Sequence, residues 1–191
     1  MILEQRGDKA GAERAFRRAD ERGDAAAAFN LGALLAERGD LAGAEEAYHR
    51  AEERGDARGA SNLGVLREQR GDLDGAEEAY RRADKHGDAT GAFNLGAFLV
   101  QRGDLTGAEE AYRRAAERGD GKGALNLGSL LARRGDVAGA KAAYRCAAQV
   151  GPENVEEMAR EAVSDLRAPQ RSAGSAPVGR AMKRTREGAH E

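Results

Sequence analysis

The sequence predicts an all-α solenoid, a stack of antiparallel helix pairs with a 32-residue repeat, and three observations carry that prediction. Glycine recurs every 16 residues: Gly7, Gly39, Gly71, Gly103 and Gly135 at one phase, and Gly23, Gly55, Gly87, Gly119 and Gly151 midway between them. Each of these glycines up to Gly135 is followed by aspartate, and most are preceded by arginine. Between the junctions, apolar residues recur at the spacing of one helical face. A fixed repeat decides the fold before any single element does. Each Arg-Gly-Asp junction is punctuation: a cation in the last helical turn, a left-handed glycine, then an N-cap carboxylate contributing about 1 kcal/mol.

Taken in order, residues 1–6 align with the end of a Leu-rich helix (Ile2 with Leu34, Leu3 with Leu35), so a truncated first helix ending at Gly7 is expected. Its apolar flank around Phe16 then has no preceding helix, and is to be covered by an upstream segment, another domain or another copy. The half-repeat after Asp24 reads AAAAFNLGALLAER, with Ala28, Leu31, Gly32 and Leu35 as its buried stripe. The half-repeat after Asp40 reads LAGAEEAYHRAEER, with Ala44, Tyr48 and Ala51 on one face. Acid-base pairs four residues apart, such as Glu46 with Arg50, Glu77 with Arg81 and Glu110 with Arg114, are expected on its water-facing side. Gly32, Gly64, Gly96 and Gly128 sit inside helices at about 1 kcal/mol each, which predicts a neighbouring helix packed closely there. Helices of about a dozen residues cannot bury such stripes alone, so they stack.

Residues 153–167, with Val155, Met158, Ala159, Ala162, Val163 and Leu166 as an amphipathic stripe, predict a C-terminal capping helix that closes a solenoid over 1–167. Residues 168–191 are rich in Pro, Gly, Ser and Arg without an apolar stripe, and predict a disordered basic tail.

Composition narrows the function. The 191 residues carry 31 basic and 33 acidic side chains, a net charge of −2, so no general polyanion binder is implied. Aromatic residues are only 4%, and small side chains must do the packing. No apolar run approaches membrane-spanning length, the start MILEQRGD is not a secretory signal, and one cysteine precludes an internal disulfide framework. A cytoplasmic location is expected. No catalytic constellation is visible: His49, His86 and His190 have no partners at metal-ligand spacing, and Cys146, in the slot of Arg50, Arg82 and Arg114, has no histidine to activate it. The chain is read as a non-enzyme with no cofactor and no metal.

Ala28, Leu31, Gly32, Leu35, Ala44, Tyr48 and Ala51 together resemble the tetratricopeptide repeat. The register recurs at Leu63, Gly64, Ala76, Tyr80 and Ala83; at Leu95, Gly96, Ala108, Tyr112 and Ala115; and at Leu127, Gly128, Ala140, Tyr144 and Ala147. Residues 115–128, AAERGDGKGALNLG, also resemble the related Sel1-like repeat. The period is 32 instead of the family's 34, its early Trp is replaced by Ala28, Ala60, Ala92 and Ala124, and its closing Pro occurs only as Pro152. The resemblance implies a scaffold that binds an extended peptide or protein segment on its concave face. It places Asn30, Asn62, Asn94 and Asn126, each just before a Leu-Gly pair, where they bond peptide backbone. Phe29, Phe93 and Leu125 on the same flank are the apolar anchors, and Arg58 and Lys122 the cations selecting acidic groups.

Rungs about 10 Å apart suit an extended strand rising about 3.3 Å per residue, one asparagine to every third residue. Four such bonds at about 0.5–1.5 kcal/mol fall short of the ~8 kcal/mol of micromolar binding, so side-chain pockets must add affinity. The competing role for the asparagines is to bond a neighbouring helix and fix stacking. Two other functions stand beside the scaffold: a self-associating array or regulatory segment of a larger signalling protein, joined through the uncapped N-terminal edge, and single-stranded RNA binding through the basic tail. Balanced charge in the array argues against the last.

Overall fold

The computed structural model describes residues 2–166, with side chains from Lys9 onward. Among these residues there are ten α-helices and no strand: α1 (Ile2–Glu21), α2 (Ala25–Glu37), α3 (Leu41–Glu53), α4 (Ala57–Gln69), α5 (Leu73–Lys85), α6 (Ala89–Arg102), α7 (Leu105–Glu117), α8 (Gly121–Arg134), α9 (Val137–Val150) and α10 (Glu153–Asp165). Each helix packs on its neighbours in sequence; α4 also touches α6, and α6 touches α8. The even helices therefore form one wall of a solenoid and the odd helices the other.

The junctions work as the tripeptide requires. Eight glycines, from Gly23 to Gly135, adopt positive φ, and the aspartate after each accepts a backbone N–H of the next helix. In the odd helices the donor is a glycine, Gly43 for Asp40 and Gly107 for Asp104, because a Cβ there would collide with the capping carboxylate. Gly7 behaves otherwise. The break expected there is absent, and α1 runs continuously from Ile2 to Glu21. At the other junctions the returning helix is held by packing on its predecessor; no described helix precedes α1, and helix propagation through one glycine costs only about 1 kcal/mol.

The core lies between the walls. Ala28, Ala60, Ala92 and Ala124 on the even helices and Ala44, Ala76, Ala108 and Ala140 on the odd ones are wholly buried. The close approach that the mid-helix glycines predict is made by the tyrosines. A Cβ on Gly32 or Gly96 would stand 2.6 Å from the ring of Tyr48 or Tyr112, and Gly64 and Gly128 meet Tyr80 and Tyr144 equally closely. With all four tyrosines in this slot, the rings supply the bulk that an alanine core lacks. Arginine braces the turns from outside: Arg38 pairs with Glu13, Arg70 with Glu45 and Arg134 with Glu109, each reaching from the end of an even helix to the odd helix before it. Arg67, which interrupts the leucine slot of Leu35, Leu99 and Leu131, reaches Glu45 at 3.8 Å and donates to the Gly75 carbonyl at 3.3 Å.

Candidate functional site

The residues singled out from sequence lie along the even wall, and the structure shows what each already touches. Asn30, Asn62, Asn94 and Asn126 are half-buried, each beside a buried leucine. Asn94 donates through Nδ2 to Ser61 Oγ at 3.2 Å, joining α6 to α4. Burial pushes the phenols of Tyr48 and Tyr112 above their ordinary pKa, and the neighbouring amides of Asn62 and Asn126 offset part of that rise. The Tyr80 phenol donates instead to Glu68 at 2.8 Å, and that of Tyr144 to Ser129 at 3.3 Å. Asn94 thus holds adjoining helices, while a carboxamide has two donors and an acceptor and retains capacity beyond one bond.

Phe29 and Phe93 are half-buried with one edge against the tyrosine of the following helix, at centroid distances of 5.8 Å to Tyr48 and 6.0 Å to Tyr112. Leu125 occupies the same slot on α8, against the core. Arg58 lies over the Phe29 ring at 4.2 Å and is held by Asp56 through Nε at 2.9 Å and Nη2 at 2.6 Å. That bidentate bond outweighs desolvation and keeps the Asp56 carboxyl below its ordinary pKa. The carboxylate position at Arg58 is therefore already filled from within the chain. Lys122, in the first turn of α8, is exposed. Of the nine candidates, Phe93, Asn94 and Lys122 come together, with Thr90, Val150 and Pro152, around an open cleft of about 400 Å³. The others are distributed along the wall.

A second feature was not anticipated. Asp20, at 4% exposure, accepts from Arg50 at 2.8 Å and also pairs with Arg54. Glu52 accepts from Arg82 at 2.6 Å, and Asp84, at 6% exposure, from Arg114 at 2.7 Å and Arg118 at 2.6 Å. These pairs join successive odd helices as a ladder of ions 30 and 34 residues apart. Burial alone pushes the Asp20 carboxyl up, and the bonds from Arg50 and Arg54 more than reverse it, leaving its pKa below the ordinary value. The expected pairs of Arg50 with Glu46 and Arg114 with Glu110 give way to the ladder, since a bidentate partner in a desolvated site outcompetes an exposed one four residues away. Glu77 with Arg81, Glu78 with Arg82 and Glu109 with Arg113 do form. The ladder was legible as a 30-residue offset between acid and arginine; the helical i, i+4 rule hid it. Cys146 fills the arginine slot of the next rung and packs at the edge of the core.

No group of three or more His, Cys, Asp and Glu side chains among the described residues is placed to hold a metal ion. No helix among them is long and apolar enough to cross a membrane. The geometry offers ring faces, amides and exposed cations along a wall.

The tetratricopeptide repeat family matches the chain over residues 1–59, 43–92 and 62–123, with a further match over 121–145. The chain belongs to the tetratricopeptide repeat family. Among solved structures, it is similar to a protective antigen of uropathogenic Escherichia coli displaying an SLR fold, with 27% identity and a TM-score of 0.66 over 78% of this chain and 35% of that one. The chain therefore spans about a third of the antigen's length. It is similar in fold to Pseudomonas aeruginosa PilF, with 20% identity and a TM-score of 0.61 over 85% of this chain and 82% of that one. BtubC of P. vanneervenii shares 19% identity and a TM-score of 0.58 over 95% of this chain and its whole own length. No curated protein matches in sequence. Tetratricopeptide and Sel1-like repeats generally mediate protein-protein interaction and are typically non-catalytic scaffolds.

Proposed function

We propose that this tetratricopeptide array is a non-enzymatic scaffold that takes an extended peptide or protein segment of a partner on its even wall, read as the concave face. The binding unit is the solenoid over 1–167, with the tail 168–191 outside it, and the setting is cytoplasmic, in keeping with a single thiol. The observation that supports this best is the cleft in which the Phe93 ring, the Asn94 amide and the Lys122 ammonium converge beside Val150 and Pro152. An apolar floor with a few placed polar groups is what a recognition pocket needs. Along the rest of the wall, Asn30, Asn62 and Asn126 offer amide groups to a peptide backbone, and Phe29 and Leu125 continue the apolar row. Lys122 carries the selection for an acidic ligand group. An acid reaching Arg58 has to displace Asp56, so the role there falls to Arg58 and Phe29 together as a flat platform.

The test uses partners captured from a lysate and identified by mass spectrometry. Lys122→Glu should lower capture of a specific partner at least tenfold with an unchanged melting curve, since reversing a charge at an interface costs on the order of 1.4 kcal/mol or more. Asn62→Ala with Asn94→Ala separates the two asparagine roles. Loss of stability with intact capture assigns them to stacking alone, and intact capture by the Lys122 variant refutes the cleft.

A further inference from the structure

The cleft beside Phe93 has a counterpart two repeats upstream. A second open cleft of about 400 Å³ is lined by the starts of α2 and α4 and by the turn before α6. Its Ala26, Asp56, Arg58 and His86 stand 64 residues before Thr90, Asp120, Lys122 and Val150 of the downstream cleft. Each cleft is built from a side chain in the second turn of one even helix and another at the start of the next, 29 residues on. Phe29 is matched in this way with Arg58, Ser61 with Thr90, Phe93 with Lys122 and Leu125 with Asn154. A ring and a cation therefore recur at alternate repeats, with two small hydroxyls between them. The intervening position is closed as well as uncharged: Ser61 is 2% exposed and accepts from Asn94 at 3.2 Å. Stacking does not impose a two-repeat period, because the core residues Ala28, Gly32 and Tyr48 have identical equivalents in the next three repeats.

The two clefts differ in chemistry. Downstream, Phe93 shares the cleft with Lys122, which is exposed and pairs with no carboxylate among the described residues. Upstream, Arg58 covers the Phe29 ring at 4.2 Å, its charge is answered by Asp56 at 2.6 Å, and its side chain stays 52% exposed. A flat guanidinium that is already charge-compensated suits a second aromatic ring better than a carboxylate. The wall beside it is His86 and Asp88, where the other cleft has Val150 and Pro152, and so offers polar groups to a phenol hydroxyl. Successive helices of one wall stand about 8–10 Å apart, which sets the clefts about 16–20 Å apart. An extended chain rising about 3.3 Å per residue covers that distance in about five or six residues.

On the reading of the even wall as the ligand face, we propose that the partner segment is bipartite. A tyrosine stacks on Arg58 over Phe29, and an acidic residue five or six positions away meets Lys122 beside Phe93. The residues between them cross the repeat of Ser61 and Thr90 without a pocket of their own. Joining the anchors makes the second contact intramolecular, at an effective concentration in the millimolar range, so affinity depends on their spacing.

Nuclear magnetic resonance titrations of the 191-residue chain test this with end-blocked serine-threonine peptides that carry one tyrosine and one glutamate. The anchors are set three or six residues apart, in both orders. A spacing of three spans about 10 Å and reaches one cleft at a time. In one of the two orders, the spacing of six should bind at least about tenfold tighter than the spacing of three and shift amides around both clefts. A six-spaced peptide with serine in place of either anchor should fall back to the three-spaced level. The intact peptide should do the same on Arg58→Gln or Lys122→Gln, both at exposed positions. If a variant melts early, the single-anchor peptides on the unaltered chain decide. Equal affinity at both spacings, with shifts at one cleft, overturns the two-anchor arrangement and leaves binding on the even wall standing. So does tight binding that survives both substitutions. If no peptide shifts any residue of the wall, the wall is not the ligand face and the bipartite segment falls with it.

Discussion

Gly96→Ala and Gly11→Ala make the same chemical change inside two helices, and the structure predicts opposite outcomes. Alanine is favoured over glycine in a helix interior by about 1 kcal/mol. At Gly11 a new Cβ meets nothing within 4 Å, so the gain is realised in full. At Gly96 the Cβ would lie 2.6 Å from Cδ1 and 2.7 Å from Cε1 of Tyr112. The ring must move, yet it is buried and packed against Phe93 at a centroid distance of 6.0 Å. Overpacking of this kind costs about 1–3 kcal/mol, leaving Gly96→Ala between neutral and about 2 kcal/mol destabilised, and separating the two variants by about 1–3 kcal/mol. Urea unfolding followed by circular dichroism, with midpoints compared at equal m, measures the separation. Placed in a Tyr112→Ala background, Gly96→Ala should recover its gain, because the clash is then absent. Equal stabilisation by both substitutions, or no coupling to Tyr112, would refute the account of the mid-helix glycines as seats for the rings.

Asp84→Ala leaves Arg114 and Arg118 without their carboxylate; both arginines are about a third exposed and hydrate in its place, so the loss should be about 1–2 kcal/mol instead of the several expected for a fully buried pair, as read from thermal midpoints. For pH, the folded-state pKa of Asp20 is depressed, so its contribution is complete above the unfolded value near 4 and disappears as pH falls through the lower folded value; Asp20→Asn should flatten the acid limb of a melting-temperature profile. Tyr48, Tyr80 and Tyr112 are raised, so the folded chain keeps phenolic protons that the unfolded chain loses above about pH 10, and stability should fall as pH rises past that point, with delayed phenolate absorbance as the spectroscopic sign.

Local chemistry made most of the fold legible. The helix boundaries follow from aspartate caps and left-handed glycines, which act within four residues and need no tertiary knowledge. The tyrosine-glycine contact was half legible: an interior glycine signals close approach, but which side chain fills the space depends on how two helices cross. Two failures had one cause. The Gly7 break and the exposed pairing of Arg50 and Arg114 were inferred from local rules, and both are decided by a neighbouring helix. At Gly7 no described neighbour enforces the turn; at Arg50 and Arg114 a carboxylate 30 residues upstream is better placed than one four residues away. The site was legible only as a wall. That Phe93, Asn94 and Lys122 share a cleft depends on where α9 ends, at Val150 and Pro152, which no repeat pattern specifies.

The last rung of the ladder explains why Cys146 stands where the other odd helices have arginine. The acid position runs Asp20, Glu52, Asp84 and then Ala116, while the arginine position runs Arg50, Arg82, Arg114 and then Cys146. Both members of the fourth rung are uncharged, and both pack at the edge of the core. A buried ion pair and a pair of small apolar groups are close in stability, whereas either half-exchanged rung leaves a charge desolvated without a partner. The rung therefore behaves as a unit, and single substitutions should show it. Cys146→Arg alone should destabilise the chain, Ala116→Asp alone likewise, and the double variant should recover toward the parent, with a coupling of about 1–3 kcal/mol in a double-mutant cycle of unfolding free energies. Additive effects of the two substitutions would mean that α7 and α9 do not face each other as the three upstream rungs do.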